Sequence, residues 1–194
     1  MGKPKIELKM VIDNRHGELK EITLPMSTDE LKKELVGFEF PAVLEHESNI
    51  NFCISRESFY TKVSIPQLND ILNSLQKVAR TEESLIFLAT FHNTKEYSMK
   101  TLLKDYELLK SIIKNGEYNI YNAKTFYELG REVYSYGILP WETSEYETLS
   151  DELRMGIERF LDFKEMGMDF AEKSGGSFVE YGEESYFLQI TMFE

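Results

Sequence analysis

Residues 149–172 read LSDELRMGIERFLDFKEMGMDFAE, and their acidic and apolar side chains recur with the period of a helix. Six carboxylates follow one another at steps of three, four or seven residues: Asp151, Glu158, Asp162, Glu165, Asp169 and Glu172. At about 100° per residue these steps confine the six side chains to an arc of roughly 80°. Five apolar side chains fall on the opposite face: Leu149, Leu153, Ile157, Phe160 and Phe163. The stretch predicts a long amphipathic helix with an acidic face, broken near Gly167.

The negative charge of the chain is concentrated around this stretch. The 194 residues have a formal net charge of −12, and residues 121–194 hold 16 acids against 6 bases. Residues 1–60 hold 11 acids and 8 bases, and residues 61–120 hold 7 acids and 8 bases. The chain has no cluster of Lys and Arg, which is the usual footprint of a protein that binds phosphates. We therefore expect that it does not bind nucleic acid directly.

The row of carboxylates has two interpretations at this point. It can imitate a row of phosphates, or it can be the solvated face of an ordinary amphipathic helix. Six acids over about 32 Å of helix compare with about nine phosphates on one DNA strand of that length. A phosphate mimic would therefore need further acids or a second subunit to complete the pattern.

The rest of the chain predicts an α+β fold of three small lobes. Alternating apolar residues indicate strands at 6–12 and 19–24, followed by a short helix that Ser27 and Glu30 cap reciprocally. Further strands at 42–45 and 51–55 complete an N-terminal lobe of residues 1–61. Ser64 and Pro66 open a helix in a helical middle lobe of residues 62–116, with more helices near 81–91 and 98–114.

The acidic helix belongs to a C-terminal lobe of residues 117–194. A strand at 118–121 precedes a helix that Asn122 caps and that ends at Gly137. After the acidic helix, Gly175 and Gly176 lead into a hairpin of strands at 177–181 and 186–193. We expect this lobe to be an α+β unit with its own core.

Residues suited to catalysis or metal binding are not grouped in the sequence. His16, His46 and His92 stand far apart, and the chain has neither a nucleophile elbow nor a glycine-rich phosphate loop. We therefore expect no enzymatic activity, no metal and no cofactor.

The sequence also bears on where the protein is found. Cys53 is the only cysteine, so no disulfide forms within the chain, and a reducing cytoplasm is the expected location. The start of the chain lacks the apolar core of a signal peptide, and the longest strongly apolar run, 85–89, is far too short to span a membrane. We expect a soluble cytoplasmic protein.

Several motifs taken together resemble the ArdA family of antirestriction proteins. Residues 160–170, FLDFKEMGMDF, followed by Gly175-Gly176-Ser177-Phe178, are similar to the family's C-terminal signature "[IL]-D-[YF]-x-x-x-G-x-D" and hairpin. Residues 63–75, VSIPQLNDILNSL, resemble its central "S-I-x-[EQ]-L-N" helix, and residues 17–37 resemble its "G-E-L … F-P" strand and helix. Residues 118–130 are similar to the opening of the family's third lobe. Met168 stands where the signature usually has Arg.

This resemblance implies an elongated, three-lobed protein encoded on mobile elements, which forms a homodimer and mimics bent DNA. Such proteins occupy the DNA-binding groove of type I restriction-modification enzymes, chiefly the methyltransferase core. The six acids of residues 151–172 are then the first candidates for contact with that groove. The alternative is a mobile-element interaction or regulatory protein of the same fold that binds a protein partner through an aromatic and apolar surface.

Overall fold

The computed structural model describes residues 4–39, 41–50, 64–91, 102–137, 156 and 158–191. These ranges hold six helices and two three-stranded sheets, which confirms the predicted α+β class. The chain divides into two compact units, of which the first holds the described residues up to Tyr118 and the second holds those from Asn119 to Thr191. The predicted boundary after residue 61 falls inside the first unit, and the division into three lobes stays a prediction.

The first unit begins with a sheet of three strands. They are β1 (Leu8–Asp13), β2 (Leu19–Leu24) and β3 (Ala42–Ser48), arranged in the order β2-β1-β3 with both neighbours antiparallel to β1. Leu8, Met10 and Ile12 are buried because alternate side chains of a strand point to the same face. The strand predicted at 51–55, with Cys53, lies outside the described residues.

Four helices complete this unit: α1 (Thr28–Glu34), α2 (Ile65–Val78), α3 (Glu82–Thr90) and α4 (Leu102–Asn115). The predicted capping box of α1 is confirmed, since the Ser27 hydroxyl accepts from the Glu30 backbone N–H and the Glu30 carboxylate accepts from the Ser27 N–H. The Ser27 hydroxyl also donates a 2.6 Å hydrogen bond to the Glu30 carboxylate, and this bond, together with the one from the Ser27 N–H, lowers the pKa of the Glu30 carboxyl. Ser64 caps α2 in the same reciprocal way, with Pro66 in the first turn.

Polar side chains of α2 connect this helix to the N-terminal part of the first unit. Gln76 accepts a 2.6 Å hydrogen bond from the Ile6 N–H and donates to the Pro4 carbonyl oxygen. Asn69, which is 1% exposed, bonds both backbone groups of Met26. These bonds explain why the predicted N-terminal strands and the first predicted helix of the middle lobe belong to one unit.

The second unit packs two helices with a second sheet. Its elements are β4 (Tyr118–Tyr121), α5 (Phe126–Ser135), α6 (Phe163–Ser174), β5 (Ser177–Tyr181) and β6 (Glu184–Ile190), and the strand order is β4-β6-β5. The hairpin of β5 and β6 turns at Gly182, whose φ is +62°. A buried core lies between the helices and the sheet, formed by Tyr121, Ala123, Leu129, Val133 and Phe187. Burial raises the pKa of the Tyr121 hydroxyl.

Helix α5 begins three residues later than the sequence predicts. Its N-cap is Thr125, whose hydroxyl accepts a 3.2 Å hydrogen bond from the Glu128 N–H, so the prediction of Asn122 as the cap is wrong. The intervening Ala123 is buried in the core, and the chain is not helical at this residue. Asn and Thr are both good N-caps, so the local sequence does not distinguish between them.

We expect the two candidate caps to differ in their effect on stability. Thr125→Ala removes the hydroxyl that satisfies the Glu128 N–H and should lower the free energy of unfolding of the second unit by about 1 kcal/mol. Asn122→Ala should change it by less than about 0.5 kcal/mol, because surface substitutions away from a cap have small effects. Urea unfolding followed by circular dichroism measures both. Equal losses in the two variants would contradict the assignment of Thr125.

Candidate functional site

The acidic stretch is not one continuous helix. The chain leaves the helical conformation over residues 159–162, and α6 begins at Phe163 with Asp162 as its N-cap. The Asp162 carboxylate accepts a 3.0 Å hydrogen bond from the Glu165 N–H, which satisfies a backbone donor of the first turn. The prediction of one long helix over residues 149–172 is therefore wrong for the residues of this stretch that the structure describes. Phe160, which we expected on the buried face, is 90% exposed.

Gly167 does not break the helix. It lies in the middle of α6 and is buried, because α5 crosses α6 at this point. A Cβ on Gly167 would overlap the carbonyl oxygen of Phe126, and a Cβ on Gly130 would overlap that of Phe163. The two helices are thus antiparallel and in backbone contact, with one glycine from each at the crossing. This contact corrects the predicted break and fixes which face of α6 is left exposed.

The structure brings three of the six predicted acids together. Glu165, Asp169 and Glu172 lie within an arc of roughly 60° on α6. Glu165 and Glu172 are exposed, whereas Asp169 is partly exposed and pairs with Lys173 at 2.7 Å. Among the remaining three, Asp162 is the cap, Glu158 lies before the interruption, and Asp151 lies outside the described residues. We call Glu165, Asp169 and Glu172 the acidic face of α6.

A cleft of about 690 Å³ adjoins the acidic face. Helix α6 contributes the three acids with Met168 and Ala171, and the other lining residues are Phe126, Gly176, Ser177, Phe178 and Phe187. Phe178 meets both Phe126 and Phe187 edge to face, with ring centroids 5.1 and 5.2 Å apart. One part of the cleft is therefore anionic and the other is aromatic.

This cleft was not predicted from the sequence, although the pair Gly175-Gly176 is one local feature that accompanies it. Gly175 ends α6 in the left-handed conformation, with a φ of +64°. Gly176 is required for a different reason, since a Cβ there would lie 2.5 Å from a ring carbon of Phe187. The second glycine thus permits the aromatic ring to pack under the start of β5. A glycine pair at a helix end can therefore indicate two things: a left-handed residue that ends the helix, and a close contact with another part of the chain. Only the left-handed helix end depends on the local sequence alone.

The chemistry of the cleft suits a cation with an apolar part. Carboxylates attract and accept hydrogen bonds from cations, and aromatic faces attract them through the ring quadrupole. Nowhere in the described ranges do three or more His, Cys, Asp or Glu side chains form a group that could hold a metal ion. In the same ranges we find no helix with the length and apolar character needed to cross a membrane.

Comparisons of the chain with protein-family models, curated proteins and solved structures found no match. The resemblance to the ArdA signature therefore depends on the quoted motifs alone. Three residues of that signature have folding roles here: Asp162 caps α6, Phe163 is buried, and Gly167 contacts α5. Asp169, by contrast, lies on the acidic face, where its carboxylate has no role in the core.

Proposed function

We propose that this chain is an antirestriction protein that mimics DNA and occupies the DNA-binding groove of a type I restriction-modification enzyme. The methyltransferase core is the proposed partner, and the inhibitor acts in the cytoplasm as a homodimer, without catalysis or a cofactor. The observation that carries the proposal is the acidic face of α6, where Glu165, Asp169 and Glu172 present carboxylates at one-turn intervals. The resemblance to ArdA proteins supplies the identity of the partner.

The spacing of these charges supports mimicry of one DNA strand. With the cap residue Asp162 included, four carboxylates occupy about 15 Å of axis, or about 5 Å per charge. Phosphates of one strand recur every 3.4 Å or so along the DNA axis, so the row has about two-thirds of that charge density. Lys173 offsets part of it by pairing with Asp169. The acidic face therefore imitates a short segment of a strand, and other acids of residues 121–194 must extend the pattern.

The charge of the chain also suits rapid association with a basic groove. Attraction between an anionic inhibitor and a groove lined with Lys and Arg raises the association rate at low salt. The Debye length falls from about 30 Å at 0.01 M salt to about 10 Å at 0.1 M, so this attraction is screened as salt rises. Inhibition by a DNA mimic should consequently weaken across a salt series.

The test is inhibition of a purified type I restriction-modification enzyme across such a series. We expect the triple variant Glu165→Gln, Asp169→Asn, Glu172→Gln to inhibit about tenfold less well than the wild-type chain at low salt, because three charge contacts are lost. Its inhibition should also depend less steeply on salt. The matched control, Glu21→Gln with Glu39→Gln and Glu47→Gln, removes three exposed charges from the first unit and should inhibit nearly as well as wild type.

The control separates a local effect from one of net charge. Equal losses in the two triple variants would contradict a role for the acidic face, since both change the net charge by the same amount. An absence of inhibition by the wild-type chain against several type I enzymes would overturn the proposal itself. Circular dichroism spectra of the wild-type chain and the two triple variants must agree, because both comparisons require that all three proteins are folded.

A second candidate function is favoured by Phe160. This phenyl ring is 90% exposed in the turn before α6, and a large apolar side chain in water is better suited to a protein contact than to phosphate mimicry. The candidate is the mobile-element interaction or regulatory protein that binds its partner through aromatic side chains. Binding of that kind is nearly independent of salt, so the same salt series distinguishes it from DNA mimicry.

A further inference from the structure

We propose that the cleft beside α6 receives an arginine side chain from the protein partner. The guanidinium would bond Asp169 and Glu172, and the methylene stem would pack on Phe126 and Phe178. The inference rests on the proposed function, because it names the group that this surface would take from a DNA-binding groove. It also goes beyond charge mimicry, since it assigns one residue type of the partner to one place on this chain.

The charges that line the cleft favour a cationic occupant. Three carboxylates and one nearby ammonium, that of Lys173, leave the α6 side anionic. Within the part of the chain that the structure describes, Glu165 and Glu172 form no ion pair, so their charges are available to a partner. An anionic or purely apolar occupant would leave these carboxylates unpaired and partly desolvated, which is unfavourable.

The arrangement of the carboxylates favours arginine over lysine. Asp169 and Glu172 are three residues apart and thus lie next to each other on the helix surface. A guanidinium presents five donors in a planar fork and can bond two carboxylates at once, whereas an ammonium is a compact point charge. Asp169 already shares its charge with Lys173, so the arginine would join an existing pair. A planar cation with several donors fits this arrangement better than an ammonium does.

The aromatic side of the cleft fits the rest of an arginine side chain. Phe126 is more than one-third exposed and Phe178 is partly exposed, so both rings offer surface to a methylene stem or to the flat guanidinium. The volume of about 690 Å³ lies in the range of about 300 to 1,000 Å³ that is typical of ligand pockets. The cleft is therefore large enough for one long side chain and part of its backbone.

The test is an NMR titration of the full chain, labelled with ¹⁵N, using N-acetyl-arginine amide as the probe. We expect saturable shifts of the backbone amides of Gly176, Ser177 and Phe178, with a dissociation constant in the millimolar range. N-acetyl-lysine amide should bind at least threefold more weakly, and N-acetyl-norleucine amide should cause no saturable shift. The variant Asp169→Asn with Glu172→Gln should weaken arginine binding at least fivefold. The control Glu180→Gln, an exposed acid of β5 that does not line the cleft, should not.

Three results would overturn the arginine assignment: no saturable shift at the cleft, equal affinity for arginine and lysine, or equal affinity for arginine and norleucine. The enzyme assay separates this inference from the proposed function. Arginine binding without inhibition of any type I enzyme would support the arginine assignment and overturn the antirestriction proposal. Inhibition without arginine binding would support the antirestriction proposal and overturn the arginine assignment. Unchanged amide shifts outside the cleft would show that the variants are folded.

Discussion

Gly167→Ala should lower the free energy of unfolding of the second unit by about 3 kcal/mol, at the upper end of the usual cost of overpacking. The new Cβ would overlap the carbonyl oxygen of Phe126, and a backbone atom cannot move aside by changing a rotamer. The helices α5 and α6 must separate instead, which loosens the packing of Leu129 and Val133 in the core. Gly130→Ala should have a similar effect, because its Cβ would overlap the carbonyl oxygen of Phe163 at the same crossing.

Gly156→Ala is the matched control for this prediction. Gly156 is exposed, and a Cβ there would meet no atom within 4 Å, so the substitution should be neutral or stabilise by up to about 1 kcal/mol. Urea unfolding of the three variants, followed by circular dichroism, measures the difference. Unfolding free energies of Gly167→Ala and Gly156→Ala within about 0.5 kcal/mol of each other would contradict the backbone contact between the helices.

The crossing of α5 and α6 also explains why Gly167 was wrongly predicted to break the helix. Glycine lowers helix propensity by about 1 kcal/mol relative to alanine, and from local sequence alone this predicts a break. Glycine is equally the residue that lets a second backbone approach closely. The information that decides between the two lies in Phe126 and Gly130, more than 35 residues earlier in the chain. No local pattern around Gly167 contains it.

The spacing of acids was ambiguous for a related reason. A step of three residues places two side chains on one helix face, but three residues also separate an N-cap from the N3 position. Asp162 and Glu165 satisfy both rules, and in the structure they are the N-cap and the N3 residue of α6. The capping boxes at Ser27 and Ser64 were predictable because all their partners lie within one turn. The steps from Glu165 to Asp169 and Glu172 have a single meaning and were read correctly as one face of a helix.

The cleft was beyond sequence analysis because its parts come from four elements. The acids lie on α6, Phe126 begins α5, Phe178 lies on β5, and Phe187 lies on β6. Periodicity identifies which face of one element is polar, but it does not say which neighbour packs beside that face. Phe126, Phe178 and Phe187 pack against one another in T-shaped pairs. All three rings also line the candidate site.

In the first unit, Asn69→Ala should lower the free energy of unfolding by about 2 to 3 kcal/mol. The Asn69 side chain accepts a 2.8 Å hydrogen bond from the Met26 N–H and donates a 3.0 Å bond to the Met26 carbonyl oxygen. Alanine provides neither bond. The Met26 N–H would lose its partner in a part-buried site, and an unsatisfied buried group costs about 1 to 3 kcal/mol. The substitution also loosens the connection between α2 and the segment that follows β2.

Asn73→Ala is the control, because Asn73 donates a second 3.0 Å hydrogen bond to the same Met26 carbonyl oxygen and makes no bond to the Met26 N–H. Removing Asn73 leaves that oxygen bonded to Asn69, so the loss should be only about 0.5 to 1 kcal/mol. Urea unfolding of both variants gives the comparison. Equal losses would mean that the Met26 N–H finds another partner, such as water, when Asn69 is removed. A larger loss for Asn69→Ala would assign the effect to that one donor, because the carbonyl oxygen retains a partner in each variant.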